Sequence, residues 1–139
     1  MRTLKKAGSY DGPTISKKDK GMENLMSELS ASAVKTHFAH LSSTSYAAHM
    51  ALAGYYEAIP DMMDGLAEQY QGVIEKLLIF PTVSLEPIKT TEEAIIHLRA
   101  MYDLVNEVQA GCDYSEIIND LDLVKSCINK TKYKLIFLK

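Results

Sequence analysis

The stretch "HFAHLSSTSYAAHMALAGYYEAIPDMMDGLAE", residues 37–68, decides the fold because it holds the end of one predicted helix, a turn and most of a second helix. Four consecutive Ser and Thr residues at 42–45 mark the turn, since such side chains favour caps and turns over helix interiors. Histidines lie on both sides of this turn, and two carboxylates lie one helical turn apart further along the second helix. These residues are His37, His49, Asp64 and Glu68. A tight turn in an antiparallel pair can bring the two histidines side by side.

Apolar residues recur at intervals of three or four on both sides of this stretch and predict the rest of the two helices. The first helix extends back to Met22, and the second runs from about Tyr46 to about Leu78. Pro60 lies inside the second helix and predicts a kink there. Residues 79–90 are rich in β-branched side chains and contain two prolines, so they predict an irregular connection.

Two capping patterns predict where the last two helices begin. Thr90, with Glu93 three residues later, predicts a capping box. Asp113, with Glu116 at the third helical position, predicts the start of a helix that runs to the end of the chain. Four helices with one connection longer than the others predict an all-α four-helix bundle over residues 21–139.

The first 20 residues differ from the rest of the chain in charge. The 139 residues carry a formal net charge of -3, whereas residues 1–20 carry +4, six basic residues minus two acidic ones. A polar, basic segment without apolar periodicity predicts a flexible tail. Its basic side chains are candidates for non-specific contacts with DNA phosphates. They are Arg2, Lys5, Lys6, Lys17, Lys18 and Lys20.

The chain has few features of a secreted or membrane protein. Two cysteines, Cys112 and Cys127, are too few for a disulfide framework and lack metal-ligand spacing. The basic start is not followed by the apolar run of a secretory signal. No stretch approaches the ~18 apolar residues of a membrane-spanning helix. We therefore expect a cytoplasmic protein that has no membrane partner.

The histidines and carboxylates of the opening stretch cannot meet within one chain. Asp64 lies fifteen residues beyond His49, which along a helix is about 22 Å. Two copies can join them if their second helices pack antiparallel about a two-fold axis, which creates two equal sites per dimer. Histidine nitrogens together with carboxylate oxygens suit Fe(II), Mn(II) or Zn(II). The spacing therefore predicts a metal site between two copies.

The spacing His-x11-His-x14-Asp-x3-Glu, with an aromatic residue directly after the first histidine, resembles the ferroxidase signature of the Dps family. These are ferritin-like DNA-binding proteins of starved cells, also called miniferritins. The signature stands here as His37–Phe38, His49, Asp64 and Glu68, and the resemblance covers roughly residues 22–138. The family has tryptophan where this chain has Phe38, and its connection between the second and third helices is longer.

The resemblance implies a ferritin-like bundle that assembles into a homodimer and further into a hollow, usually dodecameric shell. Its sites bind Fe(II), oxidise it preferentially with hydrogen peroxide, and store the ferric product as a mineral. The implied iron ligands and catalytic residues are His37 and His49 of one copy and Asp64 and Glu68 of its two-fold mate. Acidic pores near the start of the last helix are also implied, and the candidates are Asp113, Glu116 and Asp120.

Two other functions remain open from the residues alone. The chain could be a non-catalytic ferritin-like assembly protein whose four residues bind zinc or nothing, a reading that Phe38 and Pro60 favour. It could also coat nucleic acid through the basic tail, with iron incidental. The remaining histidines, His40 and His97, match no ligand position and are predicted to be structural or surface residues.

Overall fold

A computed structural model describes residues 16–139, and residues 1–15 lie outside the described part of the chain. The described residues form four helices and no strands. The helices are α1 (Lys17–Ser42), α2 (Tyr46–Ile74), α3 (Thr91–Ala110) and α4 (Ser115–Phe137). The prediction of an all-α protein built from four helices is confirmed.

Each helix packs closely against two others. Helix α1 packs on α2 and α3, and α4 packs on the same two helices from the opposite side. Helices α2 and α3 are consecutive in the chain but lie on a diagonal of the bundle, so residues 75–90 cross from one corner to another. One apolar core runs between all four helices. Its fully buried side chains include Leu25, Leu29, Tyr55, Ile59, Leu98, Val105, Leu121 and Val124.

Helix α1 begins inside the segment that the sequence predicts to be a tail. The Ser16 hydroxyl accepts a hydrogen bond from the Asp19 amide at 3.1 Å, and the Asp19 carboxylate accepts one from the Ser16 amide at 3.2 Å. This reciprocal capping box starts the helix at Lys17. Residues 17–20, which the sequence predicts to belong to the tail, are therefore part of α1. The first three basic residues of the predicted tail lie outside the described chain: Arg2, Lys5 and Lys6.

The predicted cap of the last helix is wrong. Helix α4 starts at Ser115 with Tyr114 at the N-cap, and no side chain caps it. The Asp113 carboxylate instead accepts a hydrogen bond from the Lys18 ammonium at 2.7 Å. Asp113 thus contacts a lysine that is distant in sequence and makes no cap hydrogen bond.

The predicted start of the third helix is confirmed. The Thr90 hydroxyl accepts a hydrogen bond from the Glu93 amide at 3.1 Å, as a capping threonine should. The Glu93 carboxylate accepts from the Lys89 amide at 2.6 Å, so it satisfies a donor just outside the helix.

Helix α2 runs through Pro60 as one helix and ends at Ile74, before the predicted end at Leu78. Glu75 adopts a left-handed backbone conformation with φ of 55° and terminates it. The chain is then held against the bundle, because the Gln71 side chain accepts a hydrogen bond from the Leu78 amide at 2.9 Å. The Glu23 carboxylate on α1 accepts the next amide, that of Ile79.

Candidate functional site

The turn between α1 and α2 brings two histidines into direct contact. His40 lies two residues before the end of α1 and His49 three residues after the start of α2, so the antiparallel helix pair brings them together. Their rings stack with centroids 3.5 Å apart and planes inclined by 20°. The Nδ1–H of His40 donates to the His49 carbonyl at 2.6 Å, and the Nδ1–H of His49 donates to the His40 carbonyl at 2.9 Å.

This reciprocal arrangement determines the tautomer of both rings. A backbone carbonyl can only accept, so each Nδ1 carries the proton and the lone pair of the neutral ring lies on Nε2. Neither Nε2 makes a hydrogen bond, and the described chain contains no fully buried side-chain nitrogen without a partner. Both Nε2 atoms therefore reach solvent, although the His40 side chain is otherwise buried.

His37 lies one helical turn further from the loop and has a different neighbour. Its ring stacks on Tyr56 with centroids 4.1 Å apart and planes inclined by 12°. The ring of His40 lies 6.2 Å from His37 and meets the same tyrosine edge-on at 5.1 Å. The structure thus places His40, and not His37, against His49. Of the two predicted alternatives, His40 is a structural residue and not a surface residue, because its ring is buried inside this cluster.

Asp64 and Glu68 lie together, as predicted, on one exposed face of α2. They border a groove of about 560 Å³ between α1, α2 and residues 80–85 of the connection. The groove is lined mainly by small and apolar side chains, among them Ala31, Val34 and Phe80. The groove therefore has two acidic side chains along one edge and mainly apolar side chains along the rest of its lining.

The histidine cluster and the acidic pair do not form a metal site within one chain. Fifteen residues of unbroken helix separate His49 from Asp64, which is about 22 Å. Across residues 16–139 no group of three or more His, Cys, Asp or Glu side chains is close enough to hold a metal ion. Any site that uses both halves needs a second copy.

The surface around the histidine cluster is unusually apolar. Phe38 and Leu41 at the end of α1 are 59% and 65% exposed, and Tyr46 at the start of α2 is 78% exposed. Met50, one turn further along α2, is 50% exposed. Contiguous exposed apolar side chains of this size are typical of protein interaction surfaces.

Two of the three candidate pore residues make side-chain contacts inside one chain. Asp113 pairs with Lys18, and the Asp120 carboxylate accepts a hydrogen bond from the Gln69 side chain at 2.5 Å. Glu116 is exposed in the first turn of α4. Of the basic residues predicted to contact DNA, Lys17, Lys18 and Lys20 are exposed at the start of α1.

A buried polar chain crosses the middle of the bundle. The Ser32 hydroxyl, on α1, hydrogen-bonds to the Tyr55 hydroxyl at 2.7 Å and to Nε2 of His97 at 2.6 Å. Burial, with a smaller contribution from Lys35, lowers the pKa of His97 from 6.5 to about 4. Burial also raises the pKa of Tyr55. His97 is therefore structural, as predicted, but its partners lie on other helices and give no local sequence signal.

A second buried polar group lies at the N-terminal end of α1, far from the histidine cluster at its C-terminal end. The Asp19 carboxylate accepts a hydrogen bond from the Tyr70 hydroxyl at 2.7 Å, and the Lys76 ammonium lies 3.7 Å away. Burial raises the pKa of this carboxyl, but the hydrogen bonds from Tyr70 and Ser16 and the nearby lysine outweigh it and lower the pKa overall. Burial and the same contact raise the pKa of Tyr70.

Comparison with known proteins identifies a family without identifying an activity. Residues 40–135, about two thirds of the chain, match DUF5856, a family of unknown function. The chain belongs to this family. No curated protein and no solved structure matches it significantly. The matched segment contains His40, His49, Asp64 and Glu68, and His37 precedes it.

The thiols and the helices add two smaller findings. Cys112 and Cys127 are both free and half-buried, and burial raises the pKa of Cys127. Within residues 16–139, none of the helices combines the length and the apolar character needed to cross a membrane.

Proposed function

We propose that this DUF5856 protein is a Dps-type ferroxidase and iron store, with a ferritin-like bundle whose oxidation sites form between two copies. The single observation that carries the proposal is the placement of both half-sites. A largely buried histidine pair and an exposed carboxylate pair lie on the same two-helix layer, at a separation that only a second copy can close. Fe(II) is the substrate of such a site.

The arrangement of the helices supports the ferritin-like part of the proposal. In a simple up-and-down bundle consecutive helices are neighbours, whereas here α2 and α3 are diagonal and a long segment joins them. One long crossover connection is typical of ferritin-like bundles. Such bundles build metal sites from side chains that project from facing helices.

The exposed apolar surface supports a homodimer in which the α1–α2 layers of two copies face each other. Burying four large side chains, Phe38, Leu41, Tyr46 and Met50, would contribute on the order of several kcal/mol, since each contributes about 1.5–3 kcal/mol when fully buried. An antiparallel α2–α2 contact would lay the acidic pair of one copy near the histidines of the other. The self-complementary contact gives two equal sites. A dodecameric shell is a further step of the same proposal.

The chemistry follows from the ligand types. His49 and a second histidine supply neutral nitrogen donors, and Asp64 and Glu68 of the mate supply two negative charges. Two carboxylates favour Fe(III) over Fe(II), because the ion of higher charge gains more from them. Two Fe(II) ions each give one electron to hydrogen peroxide, whose O–O bond breaks to leave hydroxide or water. Zn(II) or Mn(II) fits the same nitrogen and oxygen donors.

Phe38, where the Dps family has tryptophan, and Pro60, which lies inside α2 between His49 and Asp64, favour a non-catalytic second candidate. No preformed group of three ligands exists within one described chain, so a protein that has lost its two-fold contact would keep the fold without a metal site. The chain would then be a ferritin-like assembly component. DNA contact by the basic N-terminal residues, and a location in the cytoplasm, remain predictions that either candidate accommodates.

Anaerobic titration with Fe(II), followed by a pulse of hydrogen peroxide, tests the proposal. We expect saturable binding of about one or two irons per chain and rapid ferric absorbance near 300 nm. The double variant His49→Ala, Asp64→Ala should lose both, whereas Asp61→Ala, one turn away on α2, should keep them. Oxidation of Fe(II) by the wild type no faster than in buffer would favour the non-catalytic candidate.

A further inference from the structure

We infer that His40, and not His37, is the second histidine ligand of the proposed metal site, and that His40 and His49 bind the metal through Nε2. The inference rests on the proposed function and names a residue that the ligand spacing does not select. Its basis is the stacked pair at the α1–α2 turn, whose ring centroids are 3.5 Å apart.

The first step of the argument is the state of the four ring nitrogens. Both Nδ1 atoms donate to backbone carbonyls, at 2.6 and 2.9 Å, so both Nε2 atoms carry a free lone pair in the neutral rings. Histidines that bind metals generally donate their other N–H to a carbonyl or a carboxylate, which fixes the ring and raises its basicity. His40 and His49 already have this outer hydrogen bond.

The second step is access. His40 is only 8% exposed, yet its Nε2 has no hydrogen-bond partner and is not fully buried. The small exposed part of the residue therefore includes the nitrogen that would bind a metal. A ring held by its surroundings, with one nitrogen open to solvent, loses little conformational entropy when it binds an ion.

The third step compares His37. Its ring is exposed and rests on Tyr56, and no hydrogen bond orients either of its nitrogens. The ring of His40 stacks on that of His49, whereas it is tilted by 54° to the ring of His37, whose centroid is 6.2 Å away. Of these two histidines, His40 is therefore the one in direct contact with His49. His37 and Tyr56 form the outer wall of the cluster.

The ligand set defines the class of ion. Two neutral imidazoles from one copy and two carboxylates from its mate suit divalent transition metals such as Fe(II), Co(II) and Zn(II) rather than Mg(II) or Ca(II), which prefer all-oxygen sites. The lone pair of each Nε2 lies in the plane of its ring, and the two planes are inclined by only 20°, so the pair suits two adjacent ions, one on each Nε2.

Anaerobic Co(II) binding by the full chain, followed by visible absorbance, tests the assignment without any turnover. We expect His40→Gln to weaken Co(II) binding by at least about tenfold, the lower end of what even an outer partner of a metal ligand contributes. The matched variant His37→Gln should stay within about threefold of the wild type. Circular dichroism of each variant verifies that the helices persist.

The outcomes separate the inference from the proposed function. A large loss in His37→Gln, alone or together with His40→Gln, overturns the assignment but leaves the intersubunit metal site in place. Absence of Co(II) binding by the wild type overturns both. If His40→Gln unfolds, nitrogen NMR of the wild-type protein decides. Zn(II) should then shift the Nε2 resonances of His40 and His49, whereas a shift at His37 instead contradicts the inference.

Discussion

At the scale of single residues, burial in the fold strongly alters the chemistry of His97. Its pKa of about 4 means that the native protein keeps it neutral in mildly acidic solution, whereas the unfolded chain binds a proton near pH 6.5. Between these values protonation favours the unfolded state, so the free energy of unfolding is intact above pH 6.5 and falls as the pH drops towards 4. Nε2 of His97 is hydrogen-bonded to the buried Ser32 hydroxyl, so the titrating ring is in contact with the centre of the bundle.

We predict that the titration of His97 lowers the free energy of unfolding by roughly 3 kcal/mol between pH 7 and pH 4. The reason is that the pKa of His97 is about 2.5 units lower in the folded chain than in the unfolded chain. Urea unfolding of the wild type and of His97→Phe at several pH values measures this contribution. The difference between the two curves isolates His97 from the carboxylates that also titrate there. Parallel curves over the whole range would contradict the prediction.

Asp19 and Tyr70 give a second prediction at this scale. Tyr70→Phe removes a donor from a buried carboxylate, and an unsatisfied buried acceptor costs about 1–3 kcal/mol. We expect the free energy of unfolding at neutral pH to fall by that amount. Because the pKa of Asp19 is lowered in the folded state, this loss should diminish as the pH falls through the native pKa. Tyr133→Phe, at an exposed position, is the matched control and should change stability little.

At the scale of the elements, Pro60 is unfavourable in the interior of the helix that contains it. Proline in a helix interior removes a hydrogen bond and clashes with the preceding turn, which costs about 3 kcal/mol. Helix α2 nevertheless continues from Tyr46 to Ile74, and Pro60 itself is exposed on it. Buried side chains on both sides of the proline, including Tyr55, Ile59 and Leu66, hold the helix together by tertiary packing.

We predict that Pro60→Ala raises the free energy of unfolding by about 1–3 kcal/mol, because alanine restores the hydrogen bond and removes the clash. Thermal or urea unfolding measures it. Pro81→Ala in the irregular connection is the control and should not stabilise the protein. A decrease in stability for Pro60→Ala would mean that the bundle requires the proline's local geometry.

The elements also show which features the sequence could predict. The helices follow from apolar periodicity, and the start of α3 follows from Thr90 and Glu93, because both signals are local. The predicted cap of α4 is wrong: the helix starts one residue later, after Tyr114, and Asp113 contacts Lys18, 95 residues away in sequence. The pairing of His40 with His49 depends on how many residues the turn at 43–45 uses, which periodicity does not specify. The spacing of the Dps signature selects His37, whereas the turn in this chain brings His40 against His49.

At the scale of the whole molecule, the proposed function depends on a contact between two copies. One chain provides a histidine pair at one end of the α1–α2 layer and an acidic pair about 22 Å along α2. The exposed apolar side chains near the turn have no cover within the described chain. A two-fold contact of this layer would cover them and join each histidine pair to the acidic pair of the mate.

Complementation between two inactive variants tests this central claim most directly. His49→Ala and the pair Asp64→Ala, Glu68→Ala should each be inactive in peroxide-dependent Fe(II) oxidation. After unfolding and refolding together in equal amounts, mixed dimers contain one site built entirely from intact residues and one that lacks His49, Asp64 and Glu68. Random pairing makes half of the dimers mixed, so we predict about one quarter of the wild-type activity. Activity no higher than that of either variant alone would contradict a site shared between two copies.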